Sequence, residues 1–246
     1  MHASTPFDTP TSATAGRQPT SRGKLIIDAP MRMFHWLFAL CFVGAYASAD
    51  GEHWRMLHVT LGYTLAGLLA FRLVYGLVGP RQARLALLGR RLGGLSGWVS
   101  SLRTSTPGNL NWRKGQNLLM ALALVALLAA VVPVTLSGYA IYNDFGGEWL
   151  EELHEFAGEA FLWLVLSHLA LLLGLSVLRR RNQALPMLSG RIEGAGTDLA
   201  KRNHGVLAML LLSAVLVFMA AQWQQSPKGL LPGYASMISR AHAHDD

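Results

Sequence analysis

Charge and cysteine are both scarce in this sequence. Only 14% of its 246 residues are charged, whereas soluble domains carry about a quarter. Hydrophobic residues make up 52% of the chain, so the composition predicts a membrane protein. The single cysteine, Cys41, lies inside an apolar run. A disulfide framework, a thiolate zinc site and a covalent haem attachment through a CxxCH motif are therefore excluded.

The two ends of the chain and its net charge carry little functional signal. The first 24 residues are rich in Ser, Thr, Pro and Ala and lack the apolar core of a signal peptide, so we predict a disordered cytoplasmic tail over 1–24. Residues 226–246 form a polar external tail, which is either unstructured or helps to dock a redox subunit. The net charge is +7, but the basic residues are not gathered on one helix or stripe, which argues against nucleic acid as a partner.

Long apolar runs define the architecture. A helix needs roughly 20 mostly apolar residues to cross a bilayer. Five stretches qualify, at about 31–49, 56–78, 117–141, 151–178 and 204–223. The sequence therefore predicts an all-α membrane protein with five transmembrane helices.

The distribution of Lys and Arg gives the orientation of these spans. Seventeen of the 21 basic residues fall before the first span, in the second loop or in the fourth loop, which all lie on one side. By the positive-inside rule, the N-terminus is cytoplasmic and the C-terminus is periplasmic in a bacterial inner membrane. The second loop, 79–116, interleaves apolar residues with arginines. It is either a segment lying on the inner leaflet or a plain connection.

Four histidines lie inside these apolar runs, where ionisable side chains are costly and usually functional. His154 and His168 are 14 positions apart, so they share one face of the fourth span and lie about 21 Å apart along its axis. His58, early in a span that runs inward, matches the depth of His154. His35, early in a span that runs outward, matches the depth of His168. The sequence predicts an outer pair, His58 with His154, and an inner pair, His35 with His168.

Paired histidines without a third ligand indicate haem. Zinc and copper prefer three or four protein ligands, whereas haem supplies four nitrogens and needs one or two axial ligands from facing helices. We therefore predict two bis-histidine haems with non-covalent attachment. Because both axial positions are filled, the expected role is electron transfer across the bilayer.

Other residues near the histidines have two interpretations each. Gly62, four positions after His58, and Gly67, five positions further on, either leave room for a macrocycle or serve ordinary helix packing. Arg32 either pairs with a haem propionate or snorkels to lipid headgroups, and Arg72 and Arg113 are weaker candidates for the propionate. Glu159 either lies near the outer haem and carries protons for a quinone, or extends the water-exposed acidic start of the helix.

Three separated motifs carry a resemblance to a known family. In order, they are DAPMRMFHW, HVTLGYTLAGLLAFRLVYGLVGP and LHEFAGEAFLWLVLSH. They resemble the haem-binding segments of the bacterial cytochrome b561 family, which includes the cytochrome b subunits of membrane nickel-iron hydrogenases. The resemblance covers residues 25–180 and implies a four-helix core with two b-type haems, in which His35, His58, His154 and His168 match the axial ligands.

The resemblance also gives the expected division of the chain. Residues 25–180 form the four-helix dihaem domain, and residues 181–225 form a cytoplasmic loop and a fifth transmembrane helix, which departs from the family's pattern. Family members pass electrons between a redox partner and membrane quinone. We expect the partner to be periplasmic, such as a cytochrome c or a hydrogenase-like subunit. The alternatives are a stand-alone quinone oxidoreductase of the superoxide-oxidase type and, from another class, a histidine-based proton or metal-ion transporter.

Overall fold

Eight helices and a two-stranded pairing make up the described part of the computed structural model, which covers residues 23–104, 109, 111–192, 197–200 and 202–225. The long helices are α1 (Ala29–Ala47), α2 (Arg55–Val78), α5 (Trp112–Tyr142), α6 (Glu148–Leu178) and α8 (Gly205–Gln225). The short ones are α3 (Leu85–Leu92), α4 (Leu95–Thr104) and α7 (Leu185–Ser189), and the strands are β1 (Lys24–Leu25) and β2 (Arg191–Ile192). Almost all of the predicted tails, 1–24 and 226–246, lies outside the described residues.

Four helices of the described chain are long and apolar enough to cross a membrane, namely α2, α5, α6 and α8. The chain is thus an all-α membrane protein, as predicted. The first predicted span is present as the 19-residue helix α1, but α1 is not among these four. Arg32 and His35 in its first two turns lower its apolar character.

The helix boundaries explain why α5 and α6 were predicted too short. Each has 31 residues, whereas roughly 20 cross the hydrocarbon layer. The additional residues are polar turns at the ends: α5 begins with Trp112, Arg113 and Lys114, and α6 begins with an acidic turn around Glu148 and Glu151. Acidic residues suit the positive end of a helix dipole. Hydropathy alone therefore placed both beginnings several residues late.

The long helices pack as two antiparallel neighbours, α1 with α2 and α5 with α6, which meet mainly through α2 and α5. The fifth long helix, α8, packs chiefly on α1 and touches α2. Aromatic and aliphatic side chains fill the centre, where Phe42, Leu65, Leu68, Val131 and Phe161 are all buried. This core lies between α1, α2, α5 and α6.

The second loop folds into the short helices α3 and α4, which contact α5. The indole of Trp98 lies directly on Gly115 of α5, where a Cβ would lie within 2.2 Å of the ring. The connection is therefore structured and attached to the bundle.

The polar segment before α8 docks onto the start of the chain. Strands β1 and β2 pair antiparallel, with Lys24 opposite Ile192. The backbone N–H of Leu25 donates to Asp198 Oδ1 over 2.7 Å, and that of Ala29 donates to the carbonyl of Asn203 over 3.0 Å. These contacts hold the beginning of α8 against the beginning of α1.

Candidate functional site

The outer pair of histidines is assembled from α2 and α6. The ring centroids of His58 and His154 lie 5.9 Å apart with an interplanar angle of 79°. Two imidazoles on opposite sides of one metal ion, each bound at about 2 Å, need roughly this centroid spacing. Both side chains are half-buried. Helix periodicity predicted this pair, and the structure brings the two rings together.

Hydrogen bonds fix one nitrogen of each outer ring. His58 Nδ1 lies 2.8 Å from the carbonyl oxygen of Ala45 on α1. His154 Nδ1 lies 3.1 Å from the carbonyl oxygen of Val134 and 3.0 Å from Ser137 Oγ, both on α5. A carbonyl only accepts, so each Nδ1 carries the proton and each Nε2 keeps a free lone pair. This is the orientation that outer hydrogen bonds give to metal-ligating histidines.

Glycines shape the space around the outer pair. A Cβ added to Gly62 or to Gly158 would have no atom of the described residues within 4 Å. Each of these glycines lies four positions after a histidine of the pair, on the same helix face. On α5 the situation is the opposite, because a Cβ on Gly138 would lie 2.9 Å from Cε1 of His154. Open space therefore adjoins the pair along α2 and α6, while α5 holds the ring of His154 closely.

The inner pair is arranged differently. His35 on α1 and His168 on α6 are close enough for their imidazoles to interact electrostatically. The Nδ1 atom of each is buried and has no hydrogen-bond partner within the part of the chain that the structure describes. His35 also makes an edge-to-face contact with the neighbouring Trp36 at 5.3 Å. The inner rings therefore lack the hydrogen bonds at Nδ1 that orient the two outer rings.

The core residue Phe161 separates the two pairs. It lies seven positions after His154 and seven before His168, so all three project from nearly the same face of α6. Its side chain is 2% exposed and packs edge-to-face on Phe42 at 4.7 Å and on Phe38 at 6.3 Å. The space between the levels of the two pairs is therefore packed with aromatic rings.

The donor set of the site fits haem. Within the described ranges, no group of three or more His, Cys, Asp or Glu side chains could hold a metal ion. Two histidines from facing helices with adjoining open space match a macrocycle that supplies its own equatorial nitrogens. The four histidines would hold it, with Gly62 and Gly158 leaving room for its faces.

Comparison with known families agrees with this chemistry. The family model of prokaryotic cytochrome b561 matches residues 26–190, which is 165 of the 246 residues. The chain belongs to the prokaryotic cytochrome b561 family. This confirms the resemblance seen in the three motifs. Comparisons with curated proteins and with solved structures find no match. Membership of the cytochrome b561 family indicates a transmembrane electron-transfer protein with b-type haem.

The arginines predicted as propionate partners have protein contacts of their own. Arg32 donates through Nη1 to the carbonyl of Leu188 over 2.9 Å and through Nη2 to Asn203 Oδ1 over 3.4 Å. Its Nε is buried, and no described residue accepts from it. Arg72 is buried and donates to the carbonyl of Ala83 over 3.0 Å. Arg113 is exposed at the start of α5. Arg32 therefore attaches the segment before α8 to α1, and three of its five N–H donors, including the one on Nε, are not used in these two bonds.

The structure also gives the surroundings of Glu159 and Gly67, for which the sequence left two interpretations each. Glu159 has an exposed side chain on α6, four positions after the exposed Glu155. Gly67 lies on the opposite side of α2 from His58 and lines a cavity of about 520 Å³ between α2 and α8, together with Tyr63, Ala214 and Gln222. Gly67 therefore faces the cavity beside α8 and does not lie beside the histidines.

The residues of α5 that support His154 were missed by sequence reasoning. Val134, Ser137 and Gly138 all lie within five residues after Pro133 of α5. The available signal was two small residues, Ser137 and Gly138, which lie at the depth of a candidate ligand. It gains meaning only once α5 is known to pack along α6.

Proposed function

We propose that this cytochrome b561-family protein carries electrons across the membrane through two bis-histidine b-type haems. His58 and His154 hold the outer haem, and His35 and His168 hold the inner one. The observation that carries the proposal is the outer pair, whose rings lie 5.9 Å apart and whose Nδ1 atoms are both bound to backbone carbonyl oxygens. A haem bound there supplies one-electron chemistry at its iron.

Residues around the histidines orient the imidazoles and exclude water. The hydrogen bonds from Nδ1 to Ala45 and Val134 orient both outer imidazoles and raise their basicity, which strengthens them as ligands. With two histidines to hold each haem, the iron would have no vacant position for oxygen or substrate. Phe161 and its aromatic neighbours keep water out of the space between the two levels. Electron transfer is the function that this arrangement supports best.

The external redox partner is proposed from the charge beside His154. Acidic residues are exposed around the beginning of α6, at Asp144, Glu148, Glu151, Glu152, Glu155 and Glu159. A surface of this sign attracts a basic protein, such as a cytochrome c with a lysine-rich face, and steers its approach. It repels a small anion such as superoxide. The surface therefore favours a basic protein as the external partner. Membrane quinone, the other redox reactant, is proposed from the membership of the family alone.

The test is the absorption spectrum and haem content of the full-length protein purified in detergent. We expect a reduced-minus-oxidised spectrum of low-spin b-type haem and two haems per chain by the pyridine haemochrome assay. His58→Ala and His154→Ala remove one haem, and His35→Ala and His168→Ala remove the other. His53→Ala is the matched control, because His53 is exposed outside the long helices.

Three outcomes would contradict the proposal. A colourless protein that moves protons or metal ions in liposomes would favour a transporter. One haem per chain would reject the second site. Loss of both haems in all four variants, with thermal unfolding unchanged, would reject the division into an outer and an inner pair.

A further inference from the structure

A buried carboxylate lies at the inner end of the bundle, where α1 begins and α2 ends. Asp28, the residue just before α1, is 0% exposed. Tyr75 of α2 donates its hydroxyl to Asp28 Oδ2 over 2.5 Å, whereas Oδ1 is buried and has no hydrogen-bond partner among the described residues. A carboxylate that accepts at only one oxygen has capacity for a proton or another donor. Such a group needs a reason for its burial.

His204 connects this carboxylate with the surface. Its Nδ1 lies 3.9 Å from Asp28 Oδ2, and its side chain is 37% exposed. A proton crosses this separation through one bridging water or after a small rotation of the ring. The backbone of His204 has a φ of 46°, a left-handed conformation that is uncommon outside glycine. The backbone bond from Ala29 to the neighbouring Asn203 holds it there.

The groups facing Asp28 come from two sides. Tyr75 and Arg72 face it from α2, where Arg72 interacts electrostatically with the carboxylate, and His204 faces it from the segment before α8. Two other charged side chains at this end of the bundle, Asp198 and Arg32, make their hydrogen bonds with groups other than the Asp28 carboxylate. Asp198 accepts from Leu25, and Arg32 donates to Leu188 and Asn203.

Asp28 is also positioned to sense the charge at the inner histidines. It lies seven residues before His35, which is about 10 Å along the axis of α1 and nearly the same helix face. A negative charge added at that distance, away from water, favours the protonated form of a carboxylate. Electron and proton uptake are then coupled, since each makes the other more favourable.

We propose that Asp28 is a proton-loading site that takes up one proton through His204 when one electron enters the inner haem. This inference rests on the proposed function. The electron comes from a one-electron reductant, which reduces ferric iron to ferrous. The proton comes from water, passes over the imidazole of His204 and forms an O–H bond on the Asp28 carboxylate. The charge added by the electron is thereby neutralised, and reoxidation returns the proton to the inner side.

The test at equilibrium is a redox titration of the full-length holoprotein at several pH values, followed by the haem spectrum. We expect the midpoint potential of the inner haem to fall with rising pH, with a limit of about 59 mV per pH unit for one proton per electron. Asp28→Asn abolishes this dependence. Asp198→Asn is the matched control, because Asp198 also bonds to the backbone near α1 but does not face Tyr75 and His204, and it keeps the dependence.

A second variant covers the case in which Asp28→Asn does not fold. Tyr75→Phe keeps the carboxylate and removes the hydroxyl that stabilises its anion. We expect the pH range over which the potential changes to move to higher pH. An unchanged range in Tyr75→Phe, or a retained dependence in folded Asp28→Asn, would overturn the assignment.

The rate of proton uptake tests His204 separately. After photoreduction of the holoprotein in weakly buffered solution, a pH-indicator dye follows the disappearance of protons. His204→Gln slows this uptake at least tenfold while leaving the equilibrium dependence on pH in place, and His53→Gln leaves both unchanged. An unaltered rate in His204→Gln overturns the proposed route. A pH-independent inner potential overturns the inference alone, whereas a protein without haem overturns the proposed function.

Discussion

Gly138 of α5 and His154 of α6 are in such close contact that no side chain fits between them. A Cβ on Gly138 would lie 2.9 Å from Cε1 and 3.3 Å from Nδ1 of the imidazole. The ring is not free to move away, because Nδ1 is bonded to Val134 and Ser137 on the same helix. Helix α5 contributes no histidine, yet it determines where His154 points.

Gly138→Ala should therefore loosen the outer haem. The added methyl pushes the imidazole off its hydrogen bonds and away from His58. We expect the outer haem to be lost in part in Gly138→Ala and fully in Gly138→Val, with the inner haem retained. Haem content and the difference spectrum measure this. Ala129→Val, at an exposed position of α5, should retain both haems. Equal losses in Ala129→Val and Gly138→Val would show that the effect is a general one on α5.

The open space at Gly62 and Gly158 can be tested by filling it with leucine side chains and comparing the result with leucine at Gly67. Gly62→Leu and Gly158→Leu should fill the space beside the outer pair and abolish haem binding there, while the helices remain folded. Gly67→Leu is the control, since a Cβ on Gly67 also meets nothing within 4 Å but that residue faces α8. Haem content and circular dichroism are the measurements. A loss of outer haem in Gly67→Leu as large as in Gly62→Leu would contradict this assignment of faces.

Ser137→Ala tests the hydrogen bond at His154 without adding bulk. The Ser137 hydroxyl donates to the carbonyl of Pro133 over 2.6 Å and accepts from His154 Nδ1. Loss of such a supporting bond to a metal ligand costs roughly 10- to 100-fold in metal affinity. The carbonyl of Val134 remains, so we expect an effect near tenfold. The measurement is the rate of haem transfer from the outer site to apomyoglobin, compared with Ser176→Ala, since Ser176 bonds within α6 and the following turn.

The sequence alone predicts those features of the candidate site that follow from helix periodicity. The spacing of His154 and His168 on one helix, and the directions of the spans, predicted which histidines share a depth. The contacts made by α5 depend on which helices are neighbours, and hydropathy carries no such information. This is why Gly67 was grouped with Gly62 and why Ser137 and Gly138 were overlooked. Arg32 was assigned by its distance from His35 alone, whereas its contacts with Leu188 and Asn203 arise from chain segments more than 150 residues away.

Phe161 should matter both for stability and for the spacing of the two sites. Truncation of a fully buried phenylalanine costs about 3–5 kcal/mol. Phe161→Ala should therefore lower the thermal unfolding temperature in detergent and let water reach the space between the two pairs, which shifts the potentials of both haems. Trp163→Ala, two residues away but 67% exposed, should change neither. Unchanged potentials in a destabilised Phe161→Ala would limit the role of this residue to packing.

Helix α1 should cross the membrane although it is less apolar than the other four long helices. Its polar residues, Arg32 and His35, lie in the first two turns, where Arg32 bonds to the segment before α8, and α1 is packed between α2 and α8. Neighbouring helices therefore shield the costly side chains from lipid. We expect alkaline phosphatase fused after Asp50 or Asp144 to be active outside, and fusions after Gly94 or Ser189 to be inactive. An inactive fusion after Asp50 beside an active one after Asp144 would show that α1 lies at the inner surface, and His35 would then not share the depth of His168.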